Sequence, residues 1–258
     1  MKKQLFYFLL PLALFSCKKK NDTPSTNNTT PKGRTCYVKT MLSSDPSQNA
    51  NVTYDNNNHL LKLVGDSFEI DFAYDANGHA NGYSVIVAPD TLASYTLDLD
   101  AHGKPLVSHE YSSFSGTKAE DYRTSYTYGS NNLPSREDNY DVTSGTATLS
   151  DYELFSYDSS GNVTKSLSYD ASGNLTSTET FTYDNHYNAS YFPGIFLSPQ
   201  TWSPNNMTDD LYKDGSGNVI SHNTYSYTYN SDGYPVSAVN TDVVAATTTT
   251  TTFSYTCK

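Results

Sequence analysis

Chemistry needs a nucleophile, a base or a set of metal ligands held at a usable spacing. In this 258-residue chain such residues are few and dispersed. There is no Gly-x-Ser-x-Gly elbow, no His-Glu-x-x-His, no phosphate-cradling Gly-x-x-x-x-Gly-Lys and no Cys-x-x-Cys. No two of the six histidines have metal-ligand spacing. His59, His79, His102 and His186 fall in or beside turns, where a polar side chain serves the turn, and His109 and His222 fall in strands. The stretch Asp98-Leu-Asp100-Ala-His102-Gly103 begins like a calcium loop, but its twelfth position is His109 where such a loop needs a bidentate Glu. No catalytic residue, no metal site and no cofactor is expected, and the chain reads as a non-enzymatic protein. The alternative is a hydrolase whose site is assembled from separated strands.

The sequence offers surface for binding instead. Apolar area is concentrated in Tyr191-Phe192-Pro-Gly-Ile-Phe-Leu197 and in Trp202, the sole tryptophan. Large aromatics in an irregular stretch are either a plug over an open end of a sheet or a platform. As a platform, Tyr191, Phe192 and Trp202 stack on a glycan or a protein ligand. Nucleic acid is excluded by charge. Seven of the 16 basic side chains but one of the 27 acidic ones precede Cys36, which leaves 9 against 26 in the rest of the chain, a net −17. A nucleic-acid binder needs a basic footprint to displace counterions.

The elements that position these groups are announced by a recurring phrase: aromatic, Asp, two small residues, Gly, Asn, apolar. The clean copies are Tyr157-Asp158-Ser-Ser-Gly161-Asn162-Val163 and Tyr169-Asp170-Ala-Ser-Gly173-Asn174-Leu175, and degenerate copies begin at Tyr74, Leu99, Lys213 and Tyr229. Asp accepts a bond from a backbone amide two residues on, and Gly takes positive φ without steric cost. A type I turn followed by a left-handed residue is a common hairpin connection. Asp158, Asp170 and Asp214 are thus expected to hold turn amides, and Gly161, Gly173 and Gly217 to have positive φ. The first positions fall at 54, 74, 99, 128, 157, 169 and 183, a drifting period. Between turns the residues alternate. Leu175, Ser177, Glu179, Phe181 and Tyr183 share one face, and Thr176, Thr178, Thr180 and Thr182 the other. Period two with β-branched and aromatic residues means strand.

The N-terminus reads as an export signal over 1–16: a basic Lys2-Lys3, then an apolar stretch from Leu5 to Phe15, too short to span a bilayer. Leu14-Phe15-Ser16-Cys17 resembles a bacterial lipobox, which implies cleavage before Cys17 and lipidation of that residue; an ordinary signal peptide is the alternative. Residues 17–35 are polar and rich in Lys, Asn, Thr and Pro, as a tether is. Lys18 stands where some bacteria use Asp for inner-membrane retention. The expected place is therefore the outer membrane, on its periplasmic face or at the cell surface, with the lipid as the membrane partner. An exported chain permits disulfides. Cys36 and Cys257 are the thiols left over, one at each end of the β domain, and are expected to pair; two free buried thiols are the alternative.

Residues 36–258 then form one all-β domain of roughly fifteen strands at typical strand and loop lengths. An open sheet of that size tends to curl, and the tyrosine-rich face needs cover. The expected architecture is an antiparallel hairpin meander rolled into a flattened two-layer sheet or a barrel-like domain. The Tyr-Asp-x-x-Gly phrases resemble the YD repeats of RHS-type proteins. The order of Phe181-Thr-Tyr183-Asp184-Asn185, Ser203-Pro204-Asn205-Asn206 and Tyr225-Ser-Tyr-Thr-Tyr229-Asn230-Ser-Asp-Gly233 resembles YD-repeat-like lipoproteins of unknown function from Bacteroidota-type bacteria. The resemblance implies an envelope lipoprotein that presents a β-rich binding or structural domain.

Overall fold

The computed structural model describes residues 35–87, 90–112, 119–188, 191 and 203–258. Its strands are β1 (Cys36–Ser43), β2 (Ala50–Tyr54), β3 (Leu60–Gly65), β4 (Glu69–Tyr74), β5 (Ala80–Val87), β6 (Asp90–Leu99), β7 (Pro105–Ser112) and β8 (Glu120–Tyr128). They continue with β9 (Pro134–Thr143), β10 (Thr146–Tyr157), β11 (Val163–Asp170), β12 (Leu175–Tyr187), β13 (Asn205–Asp214), β14 (Val219–Tyr229), β15 (Pro235–Asp242) and β16 (Thr247–Cys257). Each pairs antiparallel with the next, and β16 closes on β1, giving a closed sixteen-strand barrel. The strand count is one above the sequence-based expectation, and every edge is paired, which removes the exposed ladder an open sheet would present.

An up-and-down meander puts alternate connections at opposite ends. The connections that follow even-numbered strands share one end, here the proximal end, where the chain enters at Cys36. At this end β1 and β16 are clasped by the Cys36–Cys257 disulfide, with the Cα atoms 4.0 Å apart. The disulfide occupies the place of an eighth proximal turn.

The turns repeat one geometry. In the β10–β11 turn, Gly161 N–H donates to the Asp158 carbonyl (3.2 Å) and Asp158 N–H to the Asn162 carbonyl (3.0 Å). Asp158 Oδ1 accepts from the Ser160 and Asn162 amides at 2.8 and 2.9 Å. Gly161, Gly173 and Gly217 have φ of 89°, 83° and 87°, and Asn58 (66°) and Asn132 (61°) fill the same slot in other turns. The bulge that follows places Leu60, Pro105, Pro134, Val163 and Pro235 at strand starts, all almost fully buried. Three are prolines because a strand's first residue can lack an N–H.

The interior has two characters. Over β1–β6 it is apolar, with Val38, Met41, Leu60, Leu63, Ile70 and Phe72 in one cluster. Across β10–β13 a smaller cluster of Phe155, Val163, Phe181 and Met207 is packed by Tyr157, Tyr183 and Tyr225. Buried tyrosines need a partner for the hydroxyl. At the proximal end they find it in protein, not in water: Tyr74 donates to the Leu60 carbonyl (2.9 Å), Tyr128 to Pro105 (2.6 Å), Tyr157 to Pro134 (2.6 Å) and Tyr255 to Pro235 (2.5 Å). Each bond ties the end of one hairpin to the start of the strand before it.

Candidate functional site

The singled-out turn residues do structural work. Asp170 Oδ1 accepts the Ser172 and Asn174 amides (2.9 and 2.8 Å), and Asp214 Oδ1 those of Ser216 and Asn218 (2.9 and 2.8 Å). The Asn that ends each phrase grips the second oxygen, at 2.8 Å for Asn162, Asn174 and Asn218. That grip and the amide bonds hold the Asp170 and Asp214 carboxyls below their ordinary range. In two other turns a histidine takes the place of that Asn: His59 Nδ1 lies 2.9 Å from Asp55 and His79 Nδ1 3.2 Å from Asp75. Asp100 likewise caps its own turn amides, at His102 and Lys104 (2.8 and 2.9 Å), while His109 sits between Glu120 (2.6 Å) and Asp98 (3.2 Å). Among the described residues, one trio of metal donors converges within 4.8 Å, Cys36, Asp232 and Cys257. Its thiols are consumed by the disulfide.

Of the aromatic excursion, Phe192 and Trp202 lie outside the described residues, as does Cys17. Tyr191 is described: its N–H donates to the Asn188 carbonyl (3.3 Å), and burial pushes its hydroxyl pKa up. The excursion leaves and rejoins the barrel at a buried polar junction. Ser203, fully buried, accepts from the Val163 amide (3.1 Å) and donates to the Tyr183 hydroxyl (3.0 Å). Asn188 donates to the Ser203 carbonyl (2.9 Å), and Asn162 and Asn205 exchange bonds at 3.0 and 3.1 Å.

Over β7–β16 both sides of the wall carry polar residues among apolar ones such as Phe181 inside and Leu106 and Ile220 outside, but of different kinds. Outward, β16 exposes Thr250, Thr252, Ser254 and Thr256, and β14 exposes Ser226 and Thr228. Hydroxyls pair across strands there, Thr40 with Ser254 at 2.6 Å and Thr182 with Thr208 at 2.8 Å. The cations also face out: Lys62 pairs with Glu69 and Asp71, Arg123 with Glu120, and Arg136 with Asp138. Inward stand Glu110, Glu137, Asp151, Glu153, Glu179 and Asp210, with Glu137 directly opposite Glu153. Like charges in that position repel. Some are quenched by neutral donors, as Ser168 does for Glu153 (2.9 Å) and Asn139 for Asp151 (2.7 Å).

Glu179 and Asp210 form the most perturbed pair. They are diagonal neighbours on β12 and β13, since Asp210 is opposite Phe181 and Glu179 opposite Tyr212. Burial, then the charge of Asp210, push the Glu179 pKa well above the ordinary carboxyl range. Burial pushes Asp210 up to about 6, against the opposing effect of its hydrogen bond with Glu179. One proton shared by two carboxyls is what such a pair requires. Asp210 is 7% exposed, and its Oδ1 accepts no hydrogen bond from the described residues. Elsewhere on the wall, a depression of about 490 Å³ lies over β4–β7, lined by Asp71, Asn81, Gly82, Ser94, Thr96 and Tyr111. Sequence reasoning placed Glu179 on the aromatic face but singled out neither it nor Asp210.

Fold and wall together define a closed, all-β meander barrel with a partly acidic interior. No protein-family model matches the chain, and no curated protein is similar to it in sequence. Solved structures share the fold. A porin-like protein from Bacteroides vulgatus ATCC 8482 superposes with a TM-score of 0.57 at 15% identity, over 86% of this chain and 99% of that one. A porin-like protein from Bacteroides uniformis ATCC 8492 gives 0.53 at 15% identity, over 88% and 99%. A TcdB2-TccC3-Cdc42 complex aligns over 79% of this chain but 10% of its own, with a TM-score of 0.31, too distant to carry an argument.

Proposed function

We propose that the chain is a YD-repeat-like envelope lipoprotein, held at the outer membrane by lipid on Cys17, that presents a water-standing, non-enzymatic barrel for binding. One observation carries this reading: the outer face of β12, β14 and β16 is largely hydroxylated. A barrel that spans a membrane turns apolar side chains outward over a band ~25 Å tall. Here the outward positions of β12, β14 and β16 are mostly Thr and Ser, with Ile220 and His222 among the exceptions, and the aromatic residues of these three strands point in. Such a wall gains nothing from lipid, so membrane attachment falls to the N-terminus. The test is fractionation. Cys17→Ser is expected to move the protein from the membrane to the soluble fraction. A mutant that stays with membranes after an alkaline wash would refute the lipid anchor and the water-standing barrel alike.

The hydrolase alternative has one observation in its favour, the Glu179–Asp210 pair, because carboxyls with separated proton affinities can divide acid and base roles. Turnover of any glycoside, ester or peptide substrate that Asp210→Asn abolishes would establish it.

A further inference from the structure

In the interior of β12–β15, Asp210 Oδ1 and Asn240 Oδ1 are both shut from solvent and accept no hydrogen bond from the described residues. Buried polar atoms without partners are rare in folded proteins and call for an explanation. Tyr225 stands on the strand between these two. Asn240 is directly opposite Tyr225, and Asp210 is opposite Asn223, two residues before Tyr225 on the same strand. Asp210 and Asn240 are thus two strands apart, roughly 10 Å across the sheet at ~4.8 Å per strand, and offset by two residues along it, with Tyr225 on the strand between them. The surroundings add negative charge, opposed in part by His222 on the outer face. Glu179 bonds to Asp210, and Glu153 bears on Glu179. The nearest strand cations, Lys165 and Lys213, are in register with Ser156, Thr180 and Thr178 on the outward face. Inward-facing Ser221, Asn223, Asn240, Thr249 and Thr251 stay partly exposed, so the lumen beside Tyr225 is reachable by solvent.

We propose that this part of the lumen binds a small organic cation with two N–H donor groups, a diammonium or polyamine. On binding, the Asp210 and Asn240 side chains, whose Oδ1 atoms are covered in the free protein, turn into the lumen and accept one ammonium each, and the alkyl chain lies along Tyr225. The arrangement meets three needs at once. It supplies the missing donors, it offsets the charge of the Glu153–Glu179–Asp210 group, and it sets a cation beside an aromatic face, a favourable contact worth more when desolvated. A metal ion fits less well, because among the described residues no three carboxylates of this group bring their oxygens within 4.8 Å of one another.

The inference rests on reading the barrel as a binding domain, and its test is separable from that of the anchor. Titration calorimetry of the detergent-purified protein is done with 1,4-diaminobutane, spermidine, 1,4-butanediol, Ca²⁺ and Mg²⁺. The diamines are expected to bind saturably, and butanediol, equal in length but uncharged, is not. Asp210→Asn and Asn240→Leu are each expected to weaken diamine binding at least tenfold. Asp209→Asn, on the outward face beside His222, should leave it within twofold. Circular dichroism checks that each variant folds; if one is unfolded, Tyr225→Leu takes its place with the same tenfold expectation. The proposal is overturned if no diamine saturates, if butanediol binds as well, if only the metal ions bind, or if Asp210→Asn and Asp209→Asn weaken binding equally. Any of these with Cys17→Ser still releasing the protein from membranes would remove the cation site and leave the lipoprotein reading standing.

Discussion

Neutralising Asp210 should stabilise the protein at neutral pH. In the folded state its pKa is raised to about 6 from an ordinary 3.8. An acid whose folded pKa lies above its unfolded one destabilises the fold wherever it is ionised. That penalty is absent below pH ~4, grows between ~4 and ~6 and is complete above ~6. About two pKa units at 1.36 kcal/mol each make it about 3 kcal/mol. Glu179 shifts in the same direction and adds to the slope. The capping carboxylates of Asp75, Asp100, Asp170 and Asp214 shift the other way, and Glu120 is held down to about 2, chiefly by Arg123. Their contribution is present above the ordinary carboxylate range and is lost as pH falls through the depressed values. Wild-type stability should therefore peak between pH ~4 and ~6. Asp210→Asn should raise stability at pH 7.5 by an amount on the order of 1–3 kcal/mol and flatten the fall between pH 5 and 7.5. The assay is urea unfolding of both proteins at pH 5.0 and 7.5 with the disulfide intact. A mutant no more stable than wild type at pH 7.5, together with a wild type equally stable at both values, would refute the account of the pair.

Three further outcomes follow from the turns, the clasp and the tyrosine bonds. In the β13–β14 turn, a Cβ on Gly215 would meet the Leu175 carbonyl oxygen at 2.3 Å, whereas Gly217 has φ +87° and nothing within 4 Å. Gly215→Ala should lower the urea midpoint markedly while Gly217→Asn costs under ~1 kcal/mol, because Asn tolerates the left-handed region. Gly173→Val, at φ +83°, should cost more than ~1 kcal/mol, since a β-branched residue fits that region poorly. Cys36→Ser opens a loop of sequence separation 221, for which chain entropy sets a ceiling of about 5 kcal/mol; reducing and non-reducing unfolding curves of wild type should show the same loss. Tyr157→Phe removes the bond to the Pro134 carbonyl and should cost about 1 kcal/mol or more, since the acceptor is left buried; an unchanged midpoint would mean that the carbonyl finds another donor.

How much of this was legible depends on how local each cause is. The turn phrase is local, so Asp158, Gly161 and their counterparts could be read residue by residue. The drifting period has a simple origin once the barrel is seen. Intervals of 20 to 29 residues between phrases span two strands and return the chain to the proximal end, whereas the step of 12 from Tyr157 to Tyr169 spans one strand and lands at the distal end. The same phrase thus serves both rims, and parity, not wording, decides which. Closure came from Cys36 and Cys257, the one long-range constraint a sequence displays openly. The tyrosine partners were not legible, because the carbonyls of Pro105, Pro134 and Pro235 become neighbours only through pairing with the preceding strand. The carboxyl pair was half visible. Glu179 follows strict alternation with Ser177, Phe181 and Tyr183, so an acid on the aromatic face was there to be noticed. Asp210 was hidden by a register shift between Thr182 and Tyr183, which are opposite Asp209 and Met207. Counted by twos from inward-facing Met207, Asp210 comes out on the solvent side; the irregularity reverses it and delivers a second carboxyl to the interior. A bulge is therefore the local device that makes this site. Deleting Thr208 would remove the extra residue and leave Asp210 two places from Met207, so strict alternation alone should keep it on the inner wall; an NMR pH series should then still record a raised Asp210 titration, and an ordinary carboxylate titration would refute the bulge reading.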